Sequence, residues 1–178
     1  MKRVLVILAH SDIEASIVNK RFAQEFELYE SVTVKEIKSL YPNYEIDVEK
    51  EQNDLRAADK IVFQFPLYWF NSPAILKEYI DKVFDFGFAF DMDENGYVSK
   101  ELRGKEFMLA VSAGGEEKLY NADDAVNIQK CLTPFYETAK FTGMTIQDPF
   151  FVYEAMPEFI SEERLNDEAK KFKKAVLS

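Results

Sequence analysis

Two short runs constrain the fold most: Val4-Leu5-Val6-Ile7-Leu8 and Ile61-Val62-Phe63-Gln64-Phe65. Both are almost continuously apolar and rich in branched or aromatic side chains. A strand with one wet face alternates apolar and polar residues, so a run without that alternation needs cover on both faces. Strands of this kind belong to parallel sheets, whose crossover connections lay helices on either side.

The chain between and after these runs supplies such helices. Ser16 can cap a helix that carries Val18, Phe22, Phe26 and Tyr29 on one face. Val32 to Ile37 reads as a second strand, Tyr41 to Ile46 as loop and Asp47 to Ala57 as a charged helix. Ser72-Pro73 predicts a helix start, a capping hydroxyl followed by proline at the first helical position. Leu76, Tyr79 or Ile80, Val83 and Phe84 would form its apolar face, with Gly87 at its end. Phe86 to Lys100 looks like an excursion from the sheet, and Asn95-Gly96 within it predicts a hairpin. Glu106 to Val111 is the next strand. Asp123 to Phe141 is helical in character, with a break expected near Thr133-Pro134, and Gly143 ends it. Thr145 to Val152 gives a last strand, and Ser161 caps a final helix with Leu165, Ala169, Phe172 and Val176 on one face. This alternation predicts one α/β domain over residues 1–178, three layers deep, around a five-stranded parallel sheet in the order 2-1-3-4-5.

Charge and cysteine content remove several function classes. The formal net charge of -10 argues against nucleic acid or an anionic membrane as partner, since both select basic surfaces. Cys131 is the one cysteine, which excludes an intrachain disulfide and a cysteine metal cluster and fits a cytoplasmic setting. No stretch approaches the length of a membrane span, and Val4 to Ala9 is too short for a secretory core. Asp91 to Gly96 begins like a calcium loop. Its twelfth position is Leu102, where a bidentate glutamate is required, so no metal site is expected. The remaining acidic residues read as solvated helix faces.

In a sheet of this order, ligands bind outside the carboxyl ends of the strands, at the switch point. Three segments lie there. The first, His10 to Asn19, ends at a helix start where Ser16, Ile17, Val18 and Asn19 offer a hydroxyl and free N–H groups to a phosphate. It is not a glycine-rich Walker or dinucleotide loop. His10, the one histidine, stands at the end of the first strand. The second segment, Pro66-Leu67-Tyr68-Trp69-Phe70, places an apolar aromatic turn where turns are normally polar, so it needs a partner: a flat ring system or another subunit. In the third, Ser112-Ala113-Gly114-Gly115, glycines permit close backbone approach to a ligand, and Tyr120 follows a few residues on.

The segments AHSDIEASIVN, FQFPLYWFNSPAILKEYIDKVF, GFAF and SAGG with its following tyrosine resemble the flavodoxin-like NAD(P)H:quinone oxidoreductases, from about Lys2 to Pro149. That family includes DT-diaphorase and small bacterial quinone reductases, some of them ancillary subunits of potassium efflux systems. The resemblance implies that His10, Ser16, Ile17, Val18 and Asn19 hold the flavin's phosphate and ribityl side. It implies that Pro66, Leu67, Tyr68, Trp69 and Phe70 run along the isoalloxazine, with Ser112, Ala113, Gly114 and Gly115 at the other edge. It makes Tyr120 the active-site tyrosine; His10, by its place at the end of the first strand, is a second candidate catalytic group. The long C-terminal extension of the mammalian enzymes is missing, which implies FMN before FAD, with FAD kept as the alternative because short relatives bind either. NADH or NADPH would be the hydride donor and a quinone the acceptor, in a homodimer whose active site lies at the subunit interface. Several members carry a histidine shortly after the tyrosine; here the chain reads Asn121-Ala122-Asp123-Asp124-Ala125-Val126. A flavin-binding electron carrier or regulatory ancillary subunit with little turnover is the alternative.

Overall fold

The computed structural model describes residues 2–121 and 126–178. The elements follow in chain order: β1 Val4–Leu8, α1 Ile17–Gln24, β2 Val32–Glu36, α2 Ile37–Leu40, α3 Val48–Ala57, β3 Lys60–Pro66 and α4 Ala74–Val83. Then come β4 Phe90–Asp93, β5 Gly96–Ser99, β6 Glu106–Ser112, α5 Lys118–Asn121, α6 Ile128–Cys131, α7 Thr133–Phe141, β7 Thr145–Ile146, β8 Phe150–Val152 and α8 Glu162–Leu177.

The sheet is parallel and runs β2-β1-β3-β6, with β7 and β8 both beside β6. It is the flavodoxin-like order expected, with the fifth strand in two pieces. Thr145–Ile146 pairs with Glu106–Phe107, and Phe150–Val152 pairs with Ala110–Ser112. Pro149 lies in the interruption; a proline has no N–H for the ladder, which is the physical reason one continuous strand does not form.

The unbroken apolar runs are covered as expected, since every residue of β1 and β3 is buried. One face packs Ile61, Phe63 and Phe65 with Leu76, Tyr79, Val83 and Phe135; the other packs Val4, Val6 and Val62 with Val18, Phe22, Phe26, Phe172 and Val176. Each buried ring or branched chain contributes about 1.5–3 kcal/mol of transfer free energy.

Local expectations fare variously. The Ser16 and Ser161 hydroxyls accept N–H bonds from Asn19 and Arg164, as capping requires. The first helix ends at Gln24, so Phe26 reaches the core from the turn beyond it and Tyr29 is partly exposed. Ser72 does not cap α4. Pro73, extended at ψ 143°, occupies the cap position, and the helix begins one residue later than expected. The hairpin forms with Asp93 opposite Gly96, which places Glu94 and Asn95 in its turn and supersedes the calcium-loop pattern. The break before Pro134 falls at Leu132, between α6 and α7; the expected helical residues Asp123 to Ala125 lie outside the described residues. One acidic residue is not surface at all. Glu51 is fully buried, and Lys35, Tyr41 and Tyr79 all direct polar hydrogens at it.

Candidate active site

At the carboxyl edge of the sheet, a cleft of about 400 Å³ opens between the ends of β1, β3, β6 and β8. Two larger hollows of about 540 Å³ exist: one lies beside the Phe26–Val34 turn at the amino end of β2, away from the strand ends that collect ligand groups, and the other lies beyond β8, lined by Glu117, Tyr153 and Arg164.

One end of the cleft is an anion-binding arrangement. Ser16 accepts the Asn19 N–H at 3.1 Å, while the N–H groups of Ile17 and Val18 have no partner among the described residues. Unpaired N–H groups and the positive end of the helix dipole together favour a phosphate there. The Asp12 carboxylate accepts the Glu14 and Ala15 N–H groups in the short 3-10 turn before α1.

His10, 8% exposed, closes the same end. The Asp12 N–H donates to its Nδ1 at 3.1 Å, so that nitrogen carries no proton. Nε2 therefore bears the hydrogen and donates to the Tyr68 hydroxyl at 3.2 Å, which in turn can donate to Ser11 Oγ at 3.2 Å. Burial pushes the His10 pKa down, partly opposed by the Asp12 and Glu36 carboxylates. The folded pKa lies below the unfolded value of about 6.5, so the unfolded chain binds more protons below that pH and stability falls as pH drops through the window. Because His10 is the one histidine, the expected result is direct: the melting temperature of wild type falls between about pH 7.5 and pH 5.5, and His10→Asn largely removes that fall. Parallel pH profiles of the two proteins would contradict this assignment.

The middle wall is the aromatic turn. Tyr68 N–H bonds Asn71 O at 2.8 Å and Asn71 N–H bonds Tyr68 O at 3.0 Å, with Trp69 at φ 48° and Phe70 at φ 63° between them. Two successive left-handed residues define a type I′ turn, normally built from glycine and asparagine. Each bulky residue there costs about 1–2 kcal/mol, the kind of strain that collects at functional sites. The turn throws Trp69 outward, 93% exposed. Leu67 N–H is already bonded to Ser112 O at 2.8 Å, whereas the N–H groups of Trp69 and Phe70 have no partner among the described residues.

The far wall combines the glycine turn with the loop after β8. Ala113 exchanges backbone bonds with Val152 and Ala155, and Glu154 N–H bonds Gly115 O at 2.9 Å. These bonds bring Met156 over the turn: a Cβ at Gly114 would stand 3.1 Å from Met156 Sδ. Tyr120 lies beyond Gly115, half-buried, its ring stacked on Tyr153 at 5.8 Å.

Of the residues singled out from sequence, His10, Ser16, Ile17, Asn19, Pro66, Leu67, Tyr68, Ser112 and Gly114 line the cleft together. Val18 turns its side chain into the core, and Ala113 is buried. Trp69, Phe70, Gly115 and Tyr120 stand outside the cleft lining. Ser11, Asp12 and Ala15, inside the first segment but not singled out, also line it, as do Ala155, Met156 and Pro157, which lie outside all three segments. The rule that ligands collect at strand ends applies equally to the last strand, and it was the available signal for Ala155 to Pro157.

The residues present fit a planar, phosphate-bearing cofactor such as FMN. The cleft is polar at the α1 end, apolar along Pro66, Leu67 and Met156, and backed by a glycine whose missing Cβ leaves room for the Met156 thioether. Among the described residues, no three histidine, cysteine, aspartate or glutamate side chains group as metal ligands.

Comparison with known proteins agrees in kind. General stress protein 14 of Bacillus subtilis is 41% identical over 153 residues, 85% of each chain. A protein of the same organism named uncharacterized NAD(P)H oxidoreductase YrkL is 37% identical over 95% of this chain and 94% of its own. Among solved structures, a thermophilic tryptophan halogenase from Streptomycin violaceusniger superposes with TM-score 0.89 at 39% identity, covering 98% of both chains. General stress protein 14 of Treponema denticola, in complex with FMN, gives TM-score 0.86 at 33% identity over 98% of this chain and 97% of that one. An NADPH-quinone reductase from P. pentosaceus gives 0.82 at 25% identity over 97% and 96%. A family model described as flavodoxin-like fold matches residues 2–176, and the chain belongs to that family.

Proposed function

We propose that residues 1–178 form one flavin-binding domain that acts as an FMN-dependent NAD(P)H:quinone oxidoreductase. The observation that carries this reading is the cleft itself: a helix start with free N–H groups at one end and an apolar, glycine-backed slot at the other. The names of the relatives support it, as oxidoreductases and as an FMN complex. A bound FMN would accept hydride from NADH or NADPH and pass two electrons to a quinone-type acceptor, in a ping-pong cycle.

The chain's own groups have separable tasks. Ser16 with the N–H groups of Ile17 and Val18 holds the phosphate, and Asn19 orients Ser16. Pro66, Leu67 and Tyr68 would hold one side of a flavin ring, and the Ser112-Ala113-Gly114-Gly115 turn, through Ser112 and Gly114 in the cleft lining, would hold the other. The free N–H groups of Trp69 and Phe70 are available to its polar edge, where they would stabilise negative charge. His10, held as the Nε2–H tautomer, acts as a donor through Tyr68 rather than as a base. Tyr120, beyond Gly115, would serve the acceptor side of the site. Trp69, Phe70 and Phe86, all exposed, suit burial against a second copy of the chain, which would complete the site as a homodimer. FAD is the alternative cofactor, and a cytoplasmic location suits the reduced Cys131. No helix among the described residues is long and apolar enough to cross a membrane.

Purified protein is expected to be yellow, or to turn yellow on adding FMN, and to oxidise NADH or NADPH when a quinone is present. Flavin binding with negligible turnover of either nucleotide would instead favour the electron carrier or ancillary subunit. Formation of halotryptophan from tryptophan, halide, reduced flavin and dioxygen, with the oxygen reduced to water, would favour the activity named for one structural neighbour. A colourless protein that takes up no flavin sinks the reading.

A further inference from the structure

Gln64 is a buried amide that the mechanism above does not use. It sits in β3 among Ile61, Val62, Phe63 and Phe65, is 1% exposed, and stands outside the cleft lining. Its Nε2 donates to the backbone oxygen of Asn19 at 3.0 Å and lies 3.4 Å from Asn19 Oδ1. Turning the amide over would set oxygen against oxygen, so its orientation is forced. The consequence is that Oε1 is buried without a partner among the described residues. Leaving a buried acceptor unsatisfied is costly, and an apolar residue in the same run would avoid that cost.

What the amide does is visible one step further along. With Oδ1 engaged by Gln64, the Asn19 side chain presents Nδ2 to Ser112 Oγ at 2.9 Å and to Ser16 Oγ at 3.4 Å. Its own N–H meets Ser16 Oγ at 3.1 Å. One line of polar groups thus joins β3, the first turn of α1 and the end of β6, and it terminates on the hydroxyl at the anion end of the cleft.

We propose that Gln64 is a positioning residue for the phosphate end of the site: through Asn19 it fixes the Ser16 hydroxyl and the first turn of α1. This rests on the flavin reading and sharpens it, because it assigns a phosphate-specific role to a residue that touches no ligand. Riboflavin lacks the phosphate and therefore separates the role from a general loss of packing. In Gln64→Leu and Gln64→Met, FMN affinity measured by fluorescence quenching falls about tenfold or more, the scale of losing one oriented hydrogen bond, while riboflavin affinity stays within about twofold. Gln64→Met keeps the length of the side chain and serves should Gln64→Leu not fold. If wild type binds neither flavin, the flavin reading fails and this assignment with it. If wild type binds FMN and both variants match it, or if FMN and riboflavin weaken by the same factor, the Gln64 assignment alone falls.

Discussion

Replacing Ser16 with aspartate is expected to lower FMN affinity by about 100-fold or more while leaving the folded state as stable as before. Aspartate is as good a helix cap as serine and can keep the Asn19 N–H bond that Ser16 now accepts. A carboxylate at a helix start is also favoured by the dipole, so the apo protein has no reason to melt earlier. The change acts on the ligand. The N–H groups of Ile17 and Val18 would still point outward, but a fixed negative charge would share their space with a phosphate carrying nearly two. Two unit charges about 4 Å apart repel by about 4 kcal/mol at the effective dielectric of a protein surface, and solvent at the cleft mouth reduces that figure. About two-thirds of it remaining, about 2.7 kcal/mol, gives the 100-fold or so expected. Riboflavin should bind Ser16→Asp nearly as well as wild type. Titration of both flavins, with melting curves of both proteins, checks the prediction. Undiminished FMN binding by a folded Ser16→Asp protein would place the phosphate elsewhere than α1. Ser16→Ala is the milder companion: it forfeits the cap, worth about 1 kcal/mol, without adding a charge.

Much of this was legible in the chain. Almost continuously apolar runs at Val4–Leu8 and Ile61–Phe65 require cover on both faces, and capping serines at Ser16 and Ser161 mark where covering helices begin. Those features are local, so a single sequence carries them. The sequence predicts a continuous fifth strand because Phe150 to Val152 resumes the apolar pattern, whereas the structure divides it at Pro149, the local sign of interruption. The loop bearing Met156 was missed because its place over Gly114 depends on how β8 lies beside β6, a non-local pairing. Gln64 is the opposite case. It is conspicuous as the one polar residue in an apolar run, yet its partner Asn19 is 45 positions away and only the fold brings them together.

Glu51 is the largest departure from the expectation that acidic side chains are solvated, and it carries the largest expected effect on stability. It is fully buried between α3, α4 and the sheet. Lys35 of β2 pairs with it, Tyr41 donates to it at 2.5 Å and Tyr79 donates at 3.1 Å. Burial beside this carboxylate drives the pKa of both phenols upward, so each stays protonated and keeps its hydrogen to give. Glu51→Leu would leave two buried hydroxyls without an acceptor. It would also leave the 7% exposed Lys35 with Asp54 alone, at 2.6 Å on the half-exposed side. Breaking one side of a buried pair in this way costs about 3–5 kcal/mol. For a chain of this size each kcal/mol moves the melting temperature by about 2–4 °C, so a drop of about 6–20 °C is expected. Glu51→Gln, which keeps one acceptor oxygen, should fall between the two. Replacing both partners, Lys35→Met with Glu51→Leu, should recover a substantial part of the loss, because the stranded ammonium is removed along with its carboxylate. FMN affinity of the folded fraction should not change, since Glu51 lies on the face of the sheet opposite α1 and lines no part of the cleft. A Glu51→Leu loss below about 1 kcal/mol would mean that Lys35 and the two phenols find other partners, and that the buried carboxylate is not what holds α3 and α4 against the sheet.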